Sequence, residues 1–302
     1  MKNNEKNLFL FDTNSIFMTN YGLLKGNLEK TSANKKNLND DELMSIALKA
    51  KDYSKAKIMN MLSKMKPDYS LCCFDDVSGN YWRKNILESY KSNRDEKHVS
   101  VKESILMLKK ELNDLGIQNV LKENYESDDV IGSICNKLRN ISNINITIIS
   151  KDKDFYQLYY DNIRGLNPFK MDEGYIFENK VKEKFGGLSR VNVAEVLALS
   201  GDASDGIPGI PGVGEKTAIK WINDYSSIEN LILCCDSMGK RGENLNKNKD
   251  KIYDYMKIID LSYIDINVGL KLSEMKSHNI FNGFNNNYNN QNNNNYRNNY
   301  GY

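Results

Sequence analysis

Nine carboxylates recur along the 302-residue chain in five short stretches, each where an apolar run ends or a helical pattern begins. They are Asp12 in FLFDTNS, Asp75 in LCCFDD, Glu126, Asp128 and Asp129 in NYESDDVIGS, Asp152 and Asp154 in IISKDKDF, and Asp202 and Asp205 in LSGDASDGIPG. Carboxylates delivered to one pocket from separate elements repel strongly in a low dielectric, so such a cluster persists only when cations neutralise it. Oxygen ligands without His or Cys suit Mg²⁺ or Mn²⁺. Pairs of such ions, roughly 3.5 to 4 Å apart, promote in-line attack on a phosphodiester. Taken singly, each acid has an ordinary explanation: Asp128 and Asp129 as helix-start residues, Asp205 as a turn residue, Asp75 as a strand-end cap. Their co-occurrence at successive strand ends favours the metal reading.

A second chemical signal is the run GIPGIPGVGEKTAIKWI. Gly209, Gly212 and Gly214 ahead of a helix offer backbone N–H groups unshielded by side chains, which is a phosphate-sized anion site. Lys216 and Lys220 add charge on the helix that follows, and such contacts hold a duplex backbone without reading its sequence. The spacing to Lys216 and Thr217 does not meet the nucleotide-binding pattern G-x-x-x-x-G-K-[ST]. A plain helix-turn-helix loop is the alternative.

The elements that must position these groups follow from hydrophobic pattern. Leu8 to Phe11, Tyr69 to Phe74 and Ile144 to Ile149 are short apolar runs that predict buried strands, each delivering carboxylates at its carboxyl end. Between them, a helix from Asp40 to Pro67, another over Val101 to Leu115 and a third over Asp128 to Leu138 are expected. Strands alternating with helices over about 165 residues indicate an α/β fold whose mostly parallel sheet is covered on both sides, with its site beyond the carboxyl ends of the strands. Residues 163 to 178 suggest a small hairpin, and from Arg190 onward the pattern is helical. From about His278 to Tyr302, Asn dominates, and such a tract cannot bury enough apolar surface to offset its ordering entropy.

Composition narrows the classes. With 40% hydrophobic residues the chain can bury a sizeable core, and no apolar run approaches the ~18 residues of a membrane span. Five cysteines without a C-x-x-C pair, and only His98 and His278, argue against a disulfide framework and a zinc site and fit a reducing cytoplasm. Net charge is only +2, yet eight basic residues lie between Arg83 and Lys110, either a solvated helical face or a surface for a polyanion.

Taken together, D-T-N-S at Asp12, the FD pair followed by YWRKNILESYKSNR, then Y-E-S-D-D, SKDKDFYQL and GDASDGIPGIPGVGEKTA resemble the flap endonuclease and 5′-3′ exonuclease family, over about Leu8 to Asp260. That family includes phage 5′ nucleases and the amino-terminal domain of bacterial DNA polymerase I. The resemblance implies a PIN-like nuclease domain over 1–165 with a basic helical arch at about 77–110. It also implies a C-terminal helical subdomain over 166–276 with a helix-turn-helix duplex grip at about 200–225, followed by the 277–302 tail. By the same resemblance Asp12, Asp75, Glu126, Asp128 and Asp129 hold a first metal cluster and Asp152, Asp154, Asp202 and Asp205 a second. Arg83, Lys91 and Arg94 are the arch's basic residues, Lys91 and Arg94 meeting the scissile phosphate. Gly209, Gly212, Gly214, Lys216, Thr217 and Lys220 form the grip, with K⁺ at its carbonyls. Trp82 and Tyr90 stack on an unpaired base or serve as packing. Three departures stand out: Met18 occupies the place of a basic residue, whose contact is either missing or supplied by Lys25, Asp76 duplicates Asp75 with an extra residue before Arg83, and residues 25–53 are longer than in many relatives.

The implied activity is a structure-specific 5′ nuclease acting on branched or nicked DNA, and on RNA primers in RNA–DNA hybrids, with two or more Mg²⁺ or Mn²⁺. A non-catalytic branched-DNA-binding relative and a PIN-like ribonuclease are the alternatives. A monomer is expected, in the cytoplasm (the host's, if phage-encoded), meeting a polymerase or single-strand-binding protein in trans. A chain cut at Met275 is expected to keep its activity.

Overall fold

The computed structural model describes residues 5–31, 38–94 and 96–277; the Asn-rich tract from His278 lies outside the described residues. The chain begins with β1 (Lys6–Asp12), α1 (Thr13–Thr31), α2 (Asp40–Met65) and β2 (Tyr69–Phe74). It continues through α3 (Val99–Asp114), β3 (Asn119–Leu121), α4 (Ser127–Leu138), β4 (Ile144–Ile149), β5 (Ile163–Leu166) and β6 (Tyr175–Ile176). Helices α5 (Glu178–Lys184), α6 (Val193–Ser200), α7 (Glu215–Tyr225), α8 (Ile228–Leu233) and α9 (Gly239–Ile259) follow. The strands form one sheet in the order β3-β2-β1-β4-β5-β6, parallel except for β6.

Strand β1 is central and buried on both faces, which is why it reads as an unbroken apolar run rather than an alternation. Phe9 and Phe11 pack with α1, α2 and α3, whereas Leu8 and Leu10 join a core that includes α4, Trp221 of α7 and Tyr255 of α9. The helical C-terminal region thus completes the second face of the sheet. Chain order reverses at β1, with β2 on one side and β4 on the other, and such a switch point opens a crevice beyond the carboxyl ends of the strands.

The expected strands over 69–74 and 144–149 coincide with β2 and β4, and α2 runs from an Asn39–Glu42 capping box to Lys66 just ahead of Pro67. Pattern alone missed α1, whose Gly22 and Gly26 weaken helix propensity; buried Ile16, Phe17 and Tyr21 hold it through tertiary packing. Residues 77–98 differ from the expected arch. Their described part contains the single 3₁₀ turn Trp82–Asn85 and further turns, forming a strap over the cleft, and the helical pattern from Val101 belongs to α3, packed on α2.

The contacts at the C-terminal end of the described fold bear on the expected cut at Met275. Met275 and Ser277 are buried, Tyr69 pairs with Lys276, and the Ser277 N–H donates to the Asp68 carbonyl at 2.9 Å. A chain ending at Leu272 is therefore expected to unfold about 2–5 kcal/mol more easily than one ending at Ser277, as for loss of a buried Met. Urea titrations of the two truncations provide the check, and equal midpoints would count against this boundary.

Candidate metal centre and nucleic-acid interface

The switch point assembles the acids. Asp12, at the end of β1, accepts Ser15 N–H at 3.1 Å and Ser150 Oγ–H at 2.7 Å. Asp75, just past β2, accepts the Ser127 N–H at 3.0 Å and its hydroxyl lies 2.9 Å away, so the first residue of α4 joins two strand ends. Over them opens a pocket of about 480 Å³ rimmed by seven of the nine carboxylates: Asp12, Asp75, Glu126, Asp128, Asp152, Asp154 and Asp205. An inner recess of about 20 Å³, room for one water or ion, touches Asp128, Asp154, Asp202 and Asp205.

Burial and mutual repulsion set the protonation of these acids. Burial, with Asp75 as the main charged neighbour, pushes Asp12 up to about 7. Burial and Asp152 push Asp154 up to about 8, and burial with Asp12 and Asp152 carries Asp128 well above the ordinary carboxylate range. Asp154 Oδ1 is buried without a hydrogen-bond partner among the described residues. Burial would also raise Glu126, but Lys91 and Arg83 outweigh it and hold the group at about 2.

Cations from the strap supply the compensating charge. Lys91 Nζ pairs with Glu126 and lies 3.6 Å from Asp205, Arg94 pairs with Asp205, and Lys97 Nζ sits 3.6 Å from Asp75. Among the described residues, no three acid, His or Cys side chains stand as a completed ligand set with these cations in place. The seven carboxylates, the raised acids and the orphaned Asp154 oxygen fit hard divalent ions, with Lys91, Arg94 and Lys97 withdrawn from the carboxylates.

Other expected site residues are placed elsewhere. Asp129 is 3% exposed, bound in a bidentate pair by Arg83 and accepting from Trp82 Nε1 at 3.2 Å, so it is spent on structure. Arg83, expected with Lys91 and Arg94 among the arch's basic residues, is itself buried and walls the inner recess rather than the open pocket. Asp202 turns to Ser204, accepting its N–H at 2.8 Å, and reaches the recess but not the open pocket. Asp76 organises the loop after β2 by accepting from Ser78 and Asn124, leaving Asp75 as the pocket-facing acid. Met18 lines the pocket, while Lys25 lies 3.9 Å from Glu29 on α1. Trp82 stacks on Tyr263, and buried Tyr90 donates to Glu126 at 2.8 Å, so both serve as packing and hydrogen-bonding groups.

Sequence reasoning missed Asn14, Ser127, Ser150, Lys97 and Lys151. Asn14 and Ser127 line the pocket and Ser150 backs Asp12; each small polar residue stands within two positions of a carboxylate or a strand end, the one signal that points to it. Lys97 and Lys151 line the same pocket.

In the glycine run, Gly212 and Gly214 are exposed and lead into α7, whose Lys216 and Lys220 are also exposed, with Thr217 half-buried. Gly209 is different. It is buried at φ +64°, and a Cβ there would come within 2.3 Å of the Gly201 nitrogen, so its role is close backbone packing rather than a free N–H.

A parallel sheet with an acidic rim at its switch point, joined to a helical region carrying a glycine-rich helix start, defines a class of phosphodiester-directed folds. Two family models match, the 5′-3′ exonuclease N-terminal resolvase-like domain over residues 7–186 and the 5′-3′ exonuclease C-terminal SAM fold over residues 188–282. The chain belongs to the 5′-3′ exonuclease family. It is 34% identical to DNA polymerase I of Caldicellulosiruptor bescii over 73% of this chain, spanning only 26% of that longer protein. It is 27% identical to flap endonuclease Xni of Pseudoalteromonas translucida over 81% of this chain and 91% of that one. Among solved structures, the T5 D15 protein co-crystallised with metal ions shares the fold with a TM-score of 0.65 at 18% identity, covering 85% of this chain and 90% of that one. Among the described residues no helix is long and apolar enough to cross a membrane.

Proposed function

We propose that the chain is a divalent-metal-dependent structure-specific 5′ nuclease that hydrolyses branched or nicked DNA, and RNA primers annealed to DNA, at the junction with the 5′ single strand. The observation that carries this reading is the rim of seven carboxylates gathered from three parallel strand ends, the start of α4 and the loop before the glycine run, with Asp12 raised to about 7 and Asp154 to about 8 by burial and acidic neighbours. Asp12, Asp75, Glu126, Asp128, Asp152, Asp154 and Asp205 would hold Mg²⁺ or Mn²⁺, with Asp202 reaching the ions from the recess. Such ions supply Lewis-acid stabilisation of charge on the phosphodiester.

The chain's own groups do the rest. Ser127 and Ser150 fix the orientation of Asp12 and Asp75 through their hydroxyls. Lys91 and Arg94, once released from Glu126 and Asp205, meet the negative charge that grows on the phosphate oxygens, with Lys97 and Lys151 beside them. Gly212, Gly214, Lys216, Thr217 and Lys220 hold the duplex backbone, and K⁺ at the loop carbonyls would neutralise phosphate charge there. A polymerase or single-strand-binding protein acting in trans fits this activity.

The test is cleavage of a 5′-flap duplex in Mg²⁺ and Mn²⁺, with an RNA–DNA hybrid alongside. Asp152→Ala is expected to lose most of the turnover yet bind the duplex. Lys216→Ala is expected to weaken duplex binding and reduce the salt slope by about one. An intact flap in both metals would overturn the proposal.

A further inference from the structure

The strap and the loop leading into the glycine run are latched together by backbone contacts. Three successive carbonyls, of Ala203, Ser204 and Asp205, face three strap donors. Asn93 Nδ2 donates to Ala203 at 2.6 Å, Arg94 Nε to Ser204 at 2.9 Å and the Lys91 N–H to Asp205 at 2.8 Å. Gly206 completes the seat, since a Cβ there would fall 2.6 Å from the Ser89 carbonyl oxygen. Both partners adopt the left-handed conformation at the contact, Lys91 at φ 55° and Gly206 at φ 71°. A lysine held there signals a conformation imposed by its surroundings.

We propose that Gly206 and Asn93 are positioning residues that seat Lys91 and Arg94 over the cleft and couple duplex capture at the glycine run to that seating; the inference rests on the nuclease reading. The latch uses three carbonyls, the Lys91 N–H, the Asn93 amide and Arg94 Nε, leaving the Asp205 carboxylate aside. Were this carboxylate given over to an ion, its pairs with Lys91 and Arg94 would open while the carbonyl contacts still seat the strap. The loop is closed on itself, because the Asp202 and Ile207 N–H groups each donate to the other residue's carbonyl at 2.9 Å. It continues into Gly209, which packs on Ser200 and Gly201 at the end of α6. A duplex that fixes the glycine run therefore fixes the seat as well.

The experiment is hydrogen exchange on the full chain, without divalent ions, with and without a short blunt DNA duplex. In the wild type the duplex is expected to slow exchange at residues 209–217 and also at 89–94. In Asn93→Ala the strap should lose ~3–10-fold of its protection, the worth of a hydrogen bond, with 209–217 and duplex affinity unchanged. Gly206→Ala should lower kcat on a flap by ~10²-fold, the scale of an ångström-sized misplacement. Because Gly206→Ala strains its own loop, Asn93→Ala, which leaves the loop intact, is the decisive variant. Strap protection that persists in both variants, or duplex affinity that falls in step with turnover in Asn93→Ala, overturns the latch. A duplex that protects neither segment overturns the nuclease reading itself and the latch with it.

Discussion

Asp12→Asn is expected to reduce flap cleavage by at least ~10²-fold, the scale of losing one preorganised charge-stabilising group, while making the metal-free protein more stable at neutral pH. Burial and Asp75 raise the folded-state value of Asp12 to about 7 from an ordinary 3.8, so the folded protein keeps a proton that the unfolded chain releases. That contribution is fully present below the unfolded value and is lost as pH rises through about 7. Over this window the loss is on the order of a few kcal/mol, at about 1.4 kcal/mol per pKa unit. Asparagine keeps the shape, its oxygen still accepts from Ser15, and its amide can donate to the Ser150 hydroxyl. Glu126 has the opposite sign: its stabilisation is present above its ordinary 4.5 and lost as pH falls toward about 2. Denaturant titrations in a chelator at pH 5 and pH 8 are the measurement. Wild-type stability should fall between them and the variant's should fall less; a rise in wild-type stability would contradict the assignment.

Arg83→Ala is expected to cost about 3–5 kcal/mol, because it leaves buried Asp129 without its cation and Glu126 with Lys91 alone. Arg83 is 3% exposed, binds Asp129 through both Nη atoms at 2.8 and 2.7 Å, reaches Glu126 at 3.0 Å and donates through Nε to the Ile258 carbonyl at 2.7 Å. The melting temperature should fall by roughly 10 °C. Arg83→Lys should recover little, since an ammonium cannot reproduce the planar fork. A phosphate-contacting arginine would behave differently, losing turnover with melting unchanged, and that result would contradict the structural role of Arg83.

The two substitutions mark where sequence reading succeeds and where it stops. Asp12, Asp75 and Asp152 were legible because each follows an apolar run whose end must face the crevice of a parallel sheet. Asp129 was not separable from Asp128, because what separates them is Arg83, a partner from a distant stretch that turns one carboxylate inward and leaves its neighbour to the pocket. Likewise Asp75 and Asp76 differ only in their partners, Ser127 for one and Ser78 with Asn124 for the other. The missing arch helix has the same origin: residues 89–94 take their conformation from the carbonyls of 203–205, over a hundred positions away. Local pattern carries no trace of such contacts.

Both described ends of the fold meet at Asp68. Lys6 Nζ binds its carboxylate at 2.8 Å, the Asn7 N–H donates to it at 2.9 Å, and the Ser277 N–H reaches its carbonyl. Asp68 lies at the starting edge of β1 and β2, opposite the strand ends that carry the acids. A label attached at Lys6 or Ser277 therefore sits at the rear of the sheet, on the side away from the carboxylates.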